Sequence, residues 1–186
     1  MLDPLVLTAV AVAFGLLFLL GAVHKLTSLD EFRPILADYR LLLAGLVGIA
    51  APAIGALEAA IGAGWLFAPD KALPAIATVA LLSIYAAGIA INLGRGRTHI
   101  SCGCSFGGAA GGDDLLSWGL VGRNVILAVV AAAALVPAGE RSFGGLDYFT
   151  LTATLLVAVL AYAASNQLIR NRAQIRAWRR PGKRDD

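Results

Sequence analysis

Two cysteines stand one residue apart, Cys102 and Cys104, with Gly103 between them and His99 three residues before the first. Thiols at this spacing close a bridge only if their α-carbons come within about 4.4–6.8 Å, an approach that a glycine spacer eases. A strained bridge is readily reduced and therefore oxidising, which suits the passing of a disulfide to another protein's thiolate. Arg95, Arg97 and Arg123 are the cations placed to favour a thiolate. The same atoms also offer a second chemistry. His99, Cys102 and Cys104 present an imidazole and two thiolates that would favour Cu(I) or Zn. Three donors are one short of a closed structural zinc site and the chain has no other cysteine, so redox ranks ahead of metal. Two idle thiols are the plainest alternative.

Glu58 is the second candidate. It lies inside an apolar run, where an ionisable group costs about 2.5–3.5 kcal/mol or more to insert. It needs a partner or a proton to handle, and Lys25, Arg123 and Asn124 are the candidate partners at helix ends. A structural salt bridge and a proton-transfer step coupled to quinone or substrate are the two readings. His24-Lys25 closes the first apolar stretch, where lysine is most simply an anchor that snorkels to the headgroups. Asn92, at the end of another apolar stretch, is placed to cap or to hydrogen-bond within a bundle.

The elements that must hold these residues are membrane helices. Of 186 residues, 59% are hydrophobic and 15% charged, against roughly 45–50% and about 25% in soluble domains. A spanning helix takes about 20 apolar residues, and about five such spans leave no room for a separate soluble enzyme domain. The expected spans are 4–23, a kinked one within 41–67 around Pro52, 72–93 with Pro74 in its first turn, 118–136, and 146–169. Residues 26–40 read as a short surface helix or ordered loop. The fold class is thus an all-α integral membrane protein, a compact bundle of about five transmembrane helices. It occupies 1–169, carries a glycine-rich polar loop at 94–117 that holds both cysteines, and ends in a basic tail at 170–186. Small residues at four-residue spacing, Gly55 with Ala59 and Ala60 with Gly64, would let helices approach closely.

Charge gives an orientation. Seven of the 15 basic residues fall in the last seventeen positions, a tail that reads as a lipid-attracted anchor ahead of a nucleic-acid binder. With the amino terminus outside, thirteen basic residues lie inside against Lys71 and Arg141 outside. The positive-inside rule prefers that arrangement, which puts Cys102 and Cys104 on the cytoplasmic side.

The stretches FGLLFLLGAVHKL (14–26), GALEAAIGAG (55–64), INLGRGRTHISCGCSFGG (91–108) and LSWGLVGRNVIL (116–127) together resemble MauE, the methylamine utilisation membrane family. The opening helix with its terminal lysine also resembles the broader DoxX-like membrane family, which implies a four-helix core plus one. The likeness covers about residues 5–135. It implies a protein of the bacterial inner membrane needed to mature the disulfide-rich small subunit of methylamine dehydrogenase. It also implies a membrane-tethered, thioredoxin-like companion, MauD. Carried onto this chain, Cys102 and Cys104 become the redox pair, and Glu58, Arg123 and Asn124 pattern residues of unassigned role. Here Cys-Ser-Phe-Gly stands where the family pattern has Cys-Phe-Gly. The expected activity is thiol-disulfide exchange with a membrane quinone as the other terminus. A non-enzymatic assembly scaffold and copper or zinc handling are the alternatives. Disulfide transfer belongs on the oxidising face, opposite to where the charges put the loop.

Overall fold

The structure, a computed structural model, describes the backbone of residues 1–98, 100, 115–139 and 141–178, with the side chains among these up to 169 and that of 171. Among the described residues six helices follow one another: α1 Pro4–Thr27, α2 Leu29–Asp38, α3 Ala44–Phe67, α4 Ala72–Gly94, α5 Trp118–Ala133 and α6 Gly145–Trp178. The start of α1 is set by Asp3, whose carboxylate accepts from the Leu5 amide at 2.8 Å, and by Pro4 at the first helical position. Its end comes one turn later than the apolar run suggests. Nothing in His24-Lys25-Leu26 breaks a helix, and the Ser28 amide closes it on the His24 carbonyl.

Helices α1, α3, α4 and the first 25 residues of α6 are long and apolar enough to cross a membrane. Helix α5 is shorter, at 16 residues, or about 24 Å against a hydrocarbon core of about 30 Å. Beyond Ala133 the amides of Ala134, Leu135 and Val136 bond three residues back, so the helix tightens into turns and stops before Pro137, which has no amide to donate. The surface segment expected at 26–40 forms α2, an amphipathic helix with no buried residue, packed on α3. The backbone of α6 stays helical through Trp178, so the start of the basic tail continues the last span.

Helices α1 and α3 form the closest pair. A Cβ on Gly62 would lie 2.8 Å from Leu19 Cγ, 3.0 Å from the Leu19 amide nitrogen and 3.1 Å from the Gly15 carbonyl oxygen. The backbones therefore touch through Gly15 and Gly62, the mode by which small residues join membrane helices. Gly55 serves two turns along the same interface, seated against Leu26. The core beside this contact stacks Phe14 on Trp65 at 5.4 Å between ring centres. Trp65 also donates to Thr78 Oγ1 at 2.8 Å, which ties α3 to α4. Large apolar side chains that remain exposed, such as Leu20, Ile84, Phe149 and Leu160, face outward where lipid tails cover them.

Chain direction sorts the charges between two ends. The first end holds the amino terminus, Lys71 and Arg141. There Leu2 pairs with the backbone at Pro137 and Gly139, and Arg141 bridges Asp3 at 3.2 Å and Asp147 at 2.8 Å. The Leu5 amide, and after it Arg141, hold the Asp3 carboxyl below its ordinary range. The second end holds α2, Lys25, both ends of the loop that follows α4, and the start of the basic tail. At that loop the Leu116 amide donates to the Ile100 carbonyl at 3.1 Å, and Leu116 is buried with Leu120 and Ile89. His99, Cys102 and Cys104 lie outside the described residues.

Candidate functional site

Four residues after Gly21 on the same face of α1, Lys25 points into the bundle. Its ammonium donates to both carboxylate oxygens of Glu58 on α3, at 2.9 and 2.8 Å. The side chains are 7% and 4% exposed. Of the three candidate partners, Lys25 is the one that pairs with Glu58, and the alternative reading of Lys25 as an anchor snorkelling to the headgroups is overturned. The extra turn of α1 carries it level with Glu58, and an ion pair satisfies both charges where hydrocarbon would satisfy neither. Gly21 makes the room, since a Cβ there would sit 3.2 Å from Glu58 Oε2 and 3.7 Å from Lys25 Nζ. The Lys25 ammonium also lies 5.7 Å from the Phe32 ring centre and 6.0 Å from that of Tyr85.

Tyr85 on α4 completes the cluster by donating its hydroxyl to Glu58 Oε1 at 2.6 Å. Sequence reasoning missed it. The available signal was a phenol in the middle of an apolar span, away from the interfaces where tyrosine gathers. One carboxylate thus accepts from two groups that can each hold a proton, an arrangement suited to keeping or passing one.

Arg123 and Asn124, the other candidate partners of Glu58, line a cavity of about 50 Å³ beside the pair. Arg123 Nη1 donates to Asn166 Oδ1 on α6 at 2.8 Å, and its guanidinium lies 5.7 Å from the Tyr162 ring centre. Asn124, 3% exposed, donates to the Leu120 carbonyl one turn back at 2.8 Å. His24, half-buried, reaches the same space, and Leu17, Phe18, Leu82 and Leu127 supply its apolar wall. Asn92 is fully buried on α4 and donates to the Gly88 carbonyl one turn back on the same helix at 3.0 Å, a local bond that neither caps α4 nor reaches another helix. At the loop base Arg97 donates to the Asp38 carbonyl at the end of α2, at 3.2 Å.

The family model described as methylamine utilisation protein MauE matches residues 3–137. This chain belongs to the MauE family. Among MauE relatives, the methylamine utilization protein MauE of Paracoccus denitrificans is 34% identical over 185 residues, covering 92% of this chain and 98% of the relative. The Paracoccus versutus MauE is 34% identical over 168 residues, covering 89% and 88%. That of Methylorubrum extorquens is 34% identical over 166 residues, covering 88% and 87%. No solved structure matches the chain. The MauE match contains α1 to α5 and with them Lys25, Glu58, Tyr85, Arg123 and Asn124, together with the segment of Cys102 and Cys104. It leaves out α6, which contributes Tyr162 to the cavity and Asn166 as the acceptor for Arg123. In this MauE chain Lys25 lies toward the end of the bundle that carries the base of the cysteine loop, while Glu58 and Tyr85 lie along the middle of α3 and α4.

Proposed function

We propose that this MauE protein is a thiol-disulfide exchange protein of the bacterial inner membrane that matures a disulfide-containing client for methylamine utilisation. Cys102 and Cys104 form the exchanging pair. A thiolate of a membrane-tethered, thioredoxin-like partner attacks one sulfur of the Cys102–Cys104 bridge. The partner's second thiol then resolves the mixed disulfide, leaving the partner oxidised and this pair as two thiols. The partner passes its disulfide to the client, of which the small subunit of methylamine dehydrogenase is the example. A membrane electron acceptor restores the bridge. The observation that carries the reading is a paired Cys-Gly-Cys, the chain's only cysteines, set in the long polar loop of a MauE bundle. The buried Lys25–Glu58–Tyr85 cluster supports it by supplying a proton-handling group within the bundle.

The test is a Cys102→Ser, Cys104→Ser double variant present in the membrane at the normal level. Disulfide formation in the client is expected to fall to the level of a strain lacking the protein. Normal maturation would leave an assembly scaffold as the better account. Side matters as well, because transfer to an exported client requires the loop on the oxidising face. After mild reduction, a membrane-impermeant maleimide is expected to label the cysteines in intact cells. Labelling only after permeabilisation would remove transfer to an exported client and uphold the orientation read from charge.

A further inference from the structure

Three arginines gather at the second end of the bundle, where α3 and α4 meet the membrane surface. Arg40 stands in the linker from α2 to α3, and Arg95 and Arg97 follow the last turn of α4. The fold joins these segments. Tyr39 and Leu41 lie against α4 at Gly88, where a Cβ would sit 3.8 Å from the Tyr39 ring and 3.4 Å from Leu41 Cδ1. Arg97 donates through Nη1 to the Asp38 carbonyl at 3.2 Å, so the end of α2 and the end of α4 form one corner. Among the described residues no ion pair occupies any of the three guanidiniums, whereas Arg33 on α2 faces Asp30 at 3.7 Å. Arg40 carries a further sign. Its φ is +47°, the one positive value outside glycine among the described residues. The residue just past a helix end often takes this left-handed turn, but glycine fills it without strain and arginine does not. A cation kept at such a position points to a use for its side chain. Beside it Leu41, Leu42 and Leu43 are 42%, 40% and 77% exposed and lead into α3.

We propose that this corner holds one anionic phospholipid, its phosphate bound by Arg40, Arg95 and Arg97 and its acyl chains laid on Leu41, Leu42 and Leu43. Cations beside bare leucines at the rim of spanning helices match a molecule with a negative head and apolar tails. Each guanidinium offers paired N–H donors in the geometry of phosphate oxygens. The head group decides which lipid is held. Phosphatidylglycerol joins its phosphate to a neutral glycerol, whereas phosphatidylcholine joins the same phosphate to a quaternary ammonium that three arginines repel. The corner therefore selects phosphatidylglycerol. Lipid bound there ties the linker before α3 to the end of α4. Neither cysteine takes part.

Binding can be read on the purified chain, stripped of lipid in detergent and titrated with phosphatidylglycerol or phosphatidylcholine while native mass spectrometry counts the lipid bound. The wild type is expected to hold one phosphatidylglycerol about tenfold or more tightly than any phosphatidylcholine. Arg40→Gly should raise the Kd of that lipid by about tenfold or more, the value of one charge-assisted hydrogen bond. The same variant should leave the lipid-free chain no less stable, because glycine takes the left-handed turn freely. Arg97→Gln should weaken the lipid to a similar degree, though it also removes the bond to the Asp38 carbonyl. Arg33→Gln deletes one charge from α2 outside the corner and should change neither affinity nor selectivity. Equal affinity for the two lipids, an unchanged Kd in Arg40→Gly, or an equal loss in Arg33→Gln would overturn the site. Inorganic phosphate tests the source of the anion. In millimolar excess it should leave the lipid in place; displacement by phosphate alone would make the ligand a soluble anion and overturn the lipid.

Discussion

Lys25→Met is expected to destabilise the folded chain by about 3–5 kcal/mol, the cost of leaving one charge of a buried pair without its partner. Glu58 would keep Tyr85 as a donor but lose both bonds to the ammonium. Detergent-solubilised protein fused to a fluorescent reporter should shift from a single size-exclusion peak toward aggregate, with a lower thermal midpoint. The Lys25→Met, Glu58→Leu double variant removes both charges and is expected to recover most of that stability, because replacing a buried pair by apolar residues is often neutral or favourable. It should still fail in client maturation, since no carboxylate remains to handle a proton. A double variant that matures client normally would make the pair purely structural. Wild-type stability in Lys25→Met would show that the ion pair does not hold α1 against α3.

Gly62→Ala is the second large effect. The added methyl meets Leu19 Cγ at 2.8 Å and two backbone atoms, the Leu19 nitrogen at 3.0 Å and the Gly15 oxygen at 3.1 Å. Side chains can turn away, but a backbone cannot, so α1 and α3 must separate at a cost of about 1–3 kcal/mol. Separation also draws Lys25 from Glu58, so the loss should appear in function as well as in thermal midpoint. Gly48→Ala on the same helix is the control, because nothing lies within 4 Å of its Cβ position and no loss of stability is expected. Equal midpoints for Gly62→Ala and Gly48→Ala would contradict the close backbone contact.

These two sites show what a linear sequence reveals and what it hides. Glu58 was legible because a carboxylate deep in an apolar run is expensive wherever it faces. Lys25 drew two readings, partner of Glu58 and headgroup anchor, and only the first holds, because a lysine at a helix end looks the same on a lipid-facing side and on an inward one. Only the register of α1 against α3, set by Gly15 on Gly62, decides between them. Spacing of small residues marked Gly55 correctly as a contact position, yet such a pattern names a face on one helix and not its partner. Tyr85 and Asn166 stayed hidden because single polar groups in apolar spans become informative only once the bundle shows what they meet. The existence of the helices followed from apolar length alone, whereas their ends did not. The extra turn of α1 and the tightening of α5 before Pro137 depend on local hydrogen bonds that hydropathy does not contain. The charge count was also coarser than it looked, for Lys25 and Arg123 are bonded inside the bundle and do not act as loop charges.

The thiol-exchange reading is tested most directly by trapping the exchange itself. Cells carrying Cys102→Ser or Cys104→Ser singly are quenched in acid, their free thiols are alkylated, and the protein is separated without reductant. One of the two variants is expected to accumulate a disulfide-linked adduct with a thioredoxin-like protein that disappears on reduction, while the wild type shows its pair bridged. Free thiols throughout in the wild type, with no adduct in either variant, would contradict it.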